Sequence, residues 1–175
     1  PLKEARAGIG YMLQRDHLFE WRSVRENAAL GLEIRHQKNQ ETLRELDEML
    51  ESYGLASFAH AKPSELSGGM RQRIVIAMAL SCNPRLLLAD EPTSALDVTV
   101  QKQVVDEMLM LRWEYNTSVV IVTHNMGVAR RMADKILVLK DGKTEEYGNS
   151  GYVLEHSKNR YTKELMGSVL HLNRE

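Results

Sequence analysis

The run Arg85-Leu-Leu-Leu-Ala-Asp90 lies between Pro84 and Pro92, and that bracketing leaves little choice of structure. It is short for a helix, it does not alternate apolar with polar residues, and a proline stands beyond each end. It therefore reads as a fully buried strand of the kind found in parallel sheets. Thr117 to His124, Thr-Ser-Val-Val-Ile-Val-Thr-His, reads the same way. Parallel neighbours need a long crossover, usually helical, and the stretch from about Val98 to Tyr115 supplies a helix between the two runs. The fold class expected is α/β with an essentially parallel sheet core.

The rest of the chain fits that alternation. Ala7 to Gln14 reads as a short apolar strand ending in a polar residue, followed by a loop, Asp-His-Leu-Phe-Glu-Trp, that carries two aromatics. A short helix is expected from Ser23 to Leu32. Between Gln40 and Tyr53, the residues Leu43, Leu46, Met49, Leu50 and Tyr53 share one helical face, and Gly54 stands just past the end as a stop. After Pro63, Ser67-Gly68-Gly69 opens a largely apolar helix reaching about Ser81. Met126 to Asp134 reads as a short helix, Lys135 to Gly148 as a strand, Asp-Gly turn and strand, and Tyr161 to Leu172 as a terminal helix.

Composition narrows the partners. With 43% hydrophobic residues and four prolines in 175 residues, the chain can bury one sizeable core or one core plus a small appendage. Its 23 Lys and Arg nearly balance 24 Asp and Glu, so charge gives no reason to expect nucleic acid as a partner. Cys82 is the single cysteine and cannot form an internal disulfide. It reads as a small apolar residue near a helix end. No apolar run approaches the roughly 20 residues that span a bilayer, so a membrane role would act through a partner. The first residue is Pro1, in a polar stretch, from which a missing beginning is expected.

Three segments carry chemistry. Asp90 and Glu91 fall at the carboxyl end of a strand, where ligands of parallel α/β sheets sit. One carboxylate suits Mg²⁺ or its waters, and the next suits orienting or deprotonating an attacking water. Leu66-Ser67-Gly68-Gly69-Met70-Arg71-Gln72-Arg73 places open backbone N–H groups and a hydroxyl at a positive helix terminus, an anion site. Taken alone, it reads as an ordinary helix capped by Ser67. His124 lies just past the other buried strand and can address the same crevice, although a lone histidine is more often structural. Neither it nor His17, His36, His60, His156 or His171 has metal-ligand spacing.

Together, in this order and spacing, these segments resemble the ATP-binding subunit of ABC transporters over almost the whole chain. The resemblance implies a P-loop NTPase-like parallel sheet core with an inserted helical subdomain at about 15–65, a catalytic core at about 66–147 and a C-terminal extension at 148–175. It implies ATP and Mg²⁺ as cofactors. By it, Gln14 is the glutamine that meets Mg²⁺ and senses the membrane partner, Leu66 to Met70 the signature, and Asp90 the Walker B aspartate. Glu91 is then the catalytic glutamate, Ser94 to Asp97 the D-loop and His124 the switch histidine at the γ-phosphate. Ser67, Gly68, Gly69, Gln72 and Asp97 are the expected nucleotide-binding set, and Leu18, Phe19 and Trp21 an expected groove for the membrane subunit.

One part of the family pattern is lacking. Members carry G-x-x-x-x-G-K-[ST], whose backbone and lysine hold the phosphates, and the 175 residues contain no such motif. Lys3 and Lys62 lie outside any Gly-rich loop. The simplest expectation is that the first third of the domain, including the aromatic that stacks on adenine, is missing. Two functions follow. One is an importer ATPase, peripheral at the cytoplasmic face of the membrane, paired with a second ATPase subunit and with transmembrane permease subunits. The other is a non-hydrolysing chain that donates its signature to a partner ATPase. An ABC ATPase of DNA repair is disfavoured by the roughly fifty residues between Gln14 and Leu66, too few for long coiled-coil arms. One of translation is disfavoured by a single cassette without basic excess. Asp90 to Gln101, Asp141 to Gly148 and Arg160 to Met166 look like the dipeptide, oligopeptide and nickel importers, whereas Leu18 to Ile34 looks like the nitrate, sulfonate and taurine group. Asn125 replaces the aspartate that commonly follows the switch histidine.

Overall fold

The computed structural model describes residues 8–14, 16–94 and 96–170. Lys3, Ala7, Ala95, His171 and Leu172, which figure in the expectations above, lie outside the described residues. The chain forms two compact units, Pro1–Val122 and Thr123–Glu175.

In the first unit, β1 (Ile9–Met12), β2 (Leu86–Asp90) and β3 (Ser118–Val122) form a parallel sheet in that order. The register sets Met12 beside Ala89 and Asp90 beside Val122, so the carboxyl ends of the strands lie level. Between β1 and β2 the chain forms α1 (Val24–Ala28), α2 (Leu30–Ile34), α3 (Gln40–Ser52) and α4 (Gly68–Leu80), and α5 (Val98–Glu114) joins β2 to β3. The expected single helix at Ser23 to Leu32 is two short ones. Ser23 caps the first in a reciprocal box with Glu26, and Asn39 caps α3.

Helix α4 is the hub, touching β1, α1, α2, α3 and α5. From Ile74 onward it is therefore apolar on all sides, with Ile74, Val75, Ile76, Ala77, Ala79 and Leu80 buried. Gly10 makes the close approach possible, because a Cβ there would lie 2.5 Å from the Ala79 carbonyl oxygen. Leu87 and Val119, on the same sheet face as Gly10, line a small void with Ile76, Leu80 and Met108. Both α4 and α5 thus serve one face.

This corrects the expectation of fully buried strands. Leu87 and Ala89 are buried, but on the opposite face Tyr11, Val120 and Val122 are 58%, 51% and 59% exposed. An unbroken apolar run reports what a strand is built to bury, and the helices of this unit bury one side of it.

The second unit holds α6 (Met126–Met132), the antiparallel hairpin β4 (Lys135–Lys140) and β5 (Lys143–Asn149), α7 (Ser150–Glu155) and α8 (Arg160–Leu170). Asp141 and Gly142 take positive φ of 48° and 75°, as a tight two-residue hairpin turn requires. Helix α7 was not foreseen, since Asn-Ser-Gly reads as a loop. Asn149 caps it by accepting from the Gly151 N–H.

Candidate functional site at the strand ends

Level strand ends bring together side chains that are 77 positions apart. Gln14, two residues past β1, donates from Nε2 to Glu91 Oε2 at 3.1 Å, and Glu91 directly follows β2. An amide that donates through Nε2 keeps Oε1 as a neutral acceptor, the kind of oxygen Mg²⁺ takes. Asp90 closes β2 with an exposed carboxylate. Among the described residues, no three or more His, Cys, Asp or Glu gather to hold a metal. A cation at Asp90 and Gln14 would thus draw its other ligands from phosphate oxygens and water, which is how Mg²⁺ is usually held. The donor set fits that ion.

The backbone of Glu91 is unusual. Its φ is 45°, although it is not glycine and precedes Pro92, which ordinarily drives its neighbour into extended conformations. Such geometry costs of order 1–3 kcal/mol and persists only where its surroundings enforce it. Here the Glu91 N–H donates to the Val122 carbonyl at 2.8 Å, and the Glu91 carbonyl accepts from Ser94 N–H at 3.2 Å and Ser94 Oγ at 3.1 Å. The buried Thr93 accepts at Oγ1 from Gln101 Nε2 at 2.8 Å.

The second component is the paired start of α4 and α5. Ser67 Oγ accepts from the Met70 N–H at 3.3 Å, capping α4. Asp97 Oδ1 accepts from Thr99 and Val100 N–H groups at 3.0 Å each, capping α5. The two helix starts meet at Gly69, where a Cβ would lie 2.8 Å from Val100 Cγ1. So Gly69 is glycine for packing, while Ser67 and Gly68 stay exposed. The Asp97 carboxylate and the Gln72 amide, both expected at nucleotide, are engaged within their own chain. Gln72 Nε2 donates to the Pro92 carbonyl.

Arg71 was missed by sequence reasoning. Its guanidinium reaches Asp16 Oδ2 at 2.6 Å, Glu20 Oε1 at 3.0 Å and the Pro63 carbonyl at 3.0 Å, tying α4 to the loop that follows β1. That pairing holds the Asp16 carboxyl below the usual carboxylate range. The acidic pair in this loop, Asp16 and Glu20, together with the two arginines near the start of α4, was the available signal. Asn27, fully buried, had no signal. It accepts the Phe19 N–H at 2.8 Å and donates to the carbonyls of Phe19, Arg22 and Ser23, which shapes the loop. In that shape Leu18 turns inward at 7% exposure rather than lining a groove, while Trp21 is 72% exposed and meets Phe19 with ring centroids 4.8 Å apart.

His124 lies in the second unit, exposed, two residues past β3. Beside it Asn125 caps α6, with Oδ1 accepting from Gly127 and Val128 N–H groups at 2.8 and 3.2 Å. Asn and Asp cap equally well, which accounts for the substitution noted in the sequence. No helix among the described residues is long and apolar enough to cross a membrane.

Parallel strands that end level, a Gln and a Glu joined across those ends and a Ser-Gly-Gly helix start define an α/β protein whose polar groups gather at the carboxyl ends of a parallel sheet, where such sheets bind ligands. The profile of the ABC transporter family matches residues 1–94, and the chain belongs to that family. It is 37% identical over 165 residues to a sulfate/thiosulfate import ATP-binding protein, CysA, of Nocardia farcinica, covering 94% of this chain and 50% of that one. To the glutamate transport ATP-binding protein GluA of Corynebacterium efficiens it is 38% identical over 170 residues, 97% of this chain and 70% of the other. To the oligopeptide transport ATP-binding protein OppD of Haemophilus influenzae it is 46% identical over 111 residues, 63% and 34% of the two chains. The chain spans about half the length of several curated relatives it matches. Those relatives carry unlike solutes in their names, so the likeness follows the ATP-binding part and not the cargo.

Proposed function

We propose that this chain is the Walker B and signature portion of an importer ATP-binding subunit, which hydrolyses ATP to drive solute entry. The observation that carries the reading is the Gln14 to Glu91 hydrogen bond across the level strand ends. Asp90 and Gln14 would hold Mg²⁺, which when bound neutralises phosphate charge. Glu91 is the general base for the attacking water, and His124 the contact to the γ-phosphate. Ser67, Gly68 and Gly69 serve the nucleotide of a second ATPase subunit, which suits the exposure of Ser67 and Gly68. Phe19 and Trp21, whose tilted rings meet in a loop that Arg71 ties to the signature helix, are the contact for a transmembrane permease subunit. The subunit would then sit peripherally on the cytoplasmic face of the membrane.

The test joins the chain in frame behind the phosphate-loop segment of a relative. Steady Mg²⁺-dependent release of phosphate is expected. A folded, joined protein that binds Mg-ATP and never turns it over would overturn the hydrolytic reading. It would favour the second one, a chain that only lends its signature to a partner's nucleotide, for which the lack of G-x-x-x-x-G-K-[ST] in these residues speaks.

A further inference from the structure

Three consecutive residues of α4 reach three different elements: Arg71 the loop after β1, Gln72 the carbonyl of Pro92, and Arg73 the carboxylate of Glu107 in α5 at 2.8 Å. The middle contact bears on catalysis. Pro92 is buried, and a buried carbonyl needs a donor. It also immediately follows Glu91, whose positive φ before a proline has to be imposed from outside.

We infer that Gln72 is a positioning residue for Glu91: by holding the Pro92 carbonyl it fixes the left-handed turn that presents the Glu91 carboxylate to Gln14. This deepens the proposed function and rests on Glu91 being the general base. Gln101 completes the restraint from α5 by donating to the buried Thr93 hydroxyl at 2.8 Å. The signature turn and the catalytic glutamate of one chain are therefore held as one positional unit, since Ser67 and Gln72 share α4. What seats the signature on a neighbour's nucleotide also seats Glu91.

The inference is tested first on the isotope-labelled 175-residue chain by NMR. In the wild type, a scalar coupling from the Gln72 side-chain N–H to the Pro92 carbonyl carbon is expected. Its absence overturns the proposal without any variant. In Gln72→Met, which keeps the length and removes the donor, the Glu91 amide should exchange roughly three- to tenfold faster, and the Gln14 side-chain amide should shift while Leu87 and Val119 keep their rates. Unchanged Glu91 exchange also overturns it. In the chain joined to a phosphate loop, Gln72→Met should lower kcat about tenfold and leave KM for ATP within about twofold. A raised KM at unchanged kcat would place Gln72 on the nucleotide instead. If the joined wild type does not hydrolyse ATP, the proposed function fails while the exchange result still decides the role of Gln72.

Discussion

Glu91 shows how much one residue can be asked to do. Its side chain takes the Gln14 amide and its backbone sits at φ 45° in front of a proline. Glu91→Gln keeps the size and an acceptor but cannot take a proton from water. In the chain joined to a phosphate loop, turnover should fall by about 10²–10⁴ while Mg-ATP binding is spared, read as single-turnover rate against equilibrium binding. Hydrolysis near wild type would remove Glu91 from the base role. Gly69 makes the opposite case, a motif residue chosen by packing. In Gly69→Ala the new methyl meets Val100 Cγ1 at 2.8 Å, and a β-branched side chain in a helix has little freedom to turn away. A loss of roughly 1–3 kcal/mol in denaturant unfolding is expected. Stability equal to wild type would mean that α4 and α5 start farther apart than described.

At the scale of elements, the pieces are held by a few well-aimed side chains. Arg25 of α1 meets Asp47 of α3 in a two-pronged contact, Nε to Oδ1 at 2.5 Å and Nη2 to Oδ2 at 2.9 Å. The Arg25 guanidinium holds the Asp47 carboxyl below the usual carboxylate range. A depressed folded value means that the native state binds fewer protons, so the pair's contribution is complete above the unfolded value of about 4 and is lost as pH falls through the folded one. Both groups are partly exposed, so the contribution is small, roughly 0.5–1 kcal/mol. Thermal midpoints from pH 7 down to 3 should fall less steeply for Asp47→Asn than for wild type, and parallel curves would show the pair to be inert. The sequence announced most elements because their signals are local. Leu46, Met49 and Leu50 mark one face of α3, and Asp141-Gly142 marks a hairpin. It announced the strands but not which face stays open, since the residue type of Val120 is the same whether or not a helix covers it. It hid α7 behind loop-like residues, and it hid the commitments of Gln72 and Asp97, because polar side chains reveal a partner only when the chain is folded.

For the whole molecule, the decisive fact is how charge is distributed around the site where phosphate would lie. Among the described residues of the first unit, the strand-end crevice offers Asp90 and Glu91, which repel polyphosphate, and Gln14, which is neutral and already bonded to Glu91. The Arg71 guanidinium is committed to Asp16 and Glu20 and that of Arg73 to Glu107. Cradles for triphosphate rely on a lysine and a nest of backbone N–H groups to offset that repulsion, and neither occurs here as G-x-x-x-x-G-K-[ST]. Each such charge-assisted hydrogen bond is worth about 1.5–3 kcal/mol, so forgoing several moves a micromolar site to about millimolar or weaker. The signature does not compensate, because by the proposed function it serves a neighbour's nucleotide and an identical neighbour has the same residues. The 175-residue chain by itself should therefore bind Mg-ATP only weakly and hydrolyse none. Calorimetric titration of the purified chain measures this directly, and a dissociation constant below roughly 10 μM would reveal a phosphate site that neither the sequence nor the strand-end geometry displays.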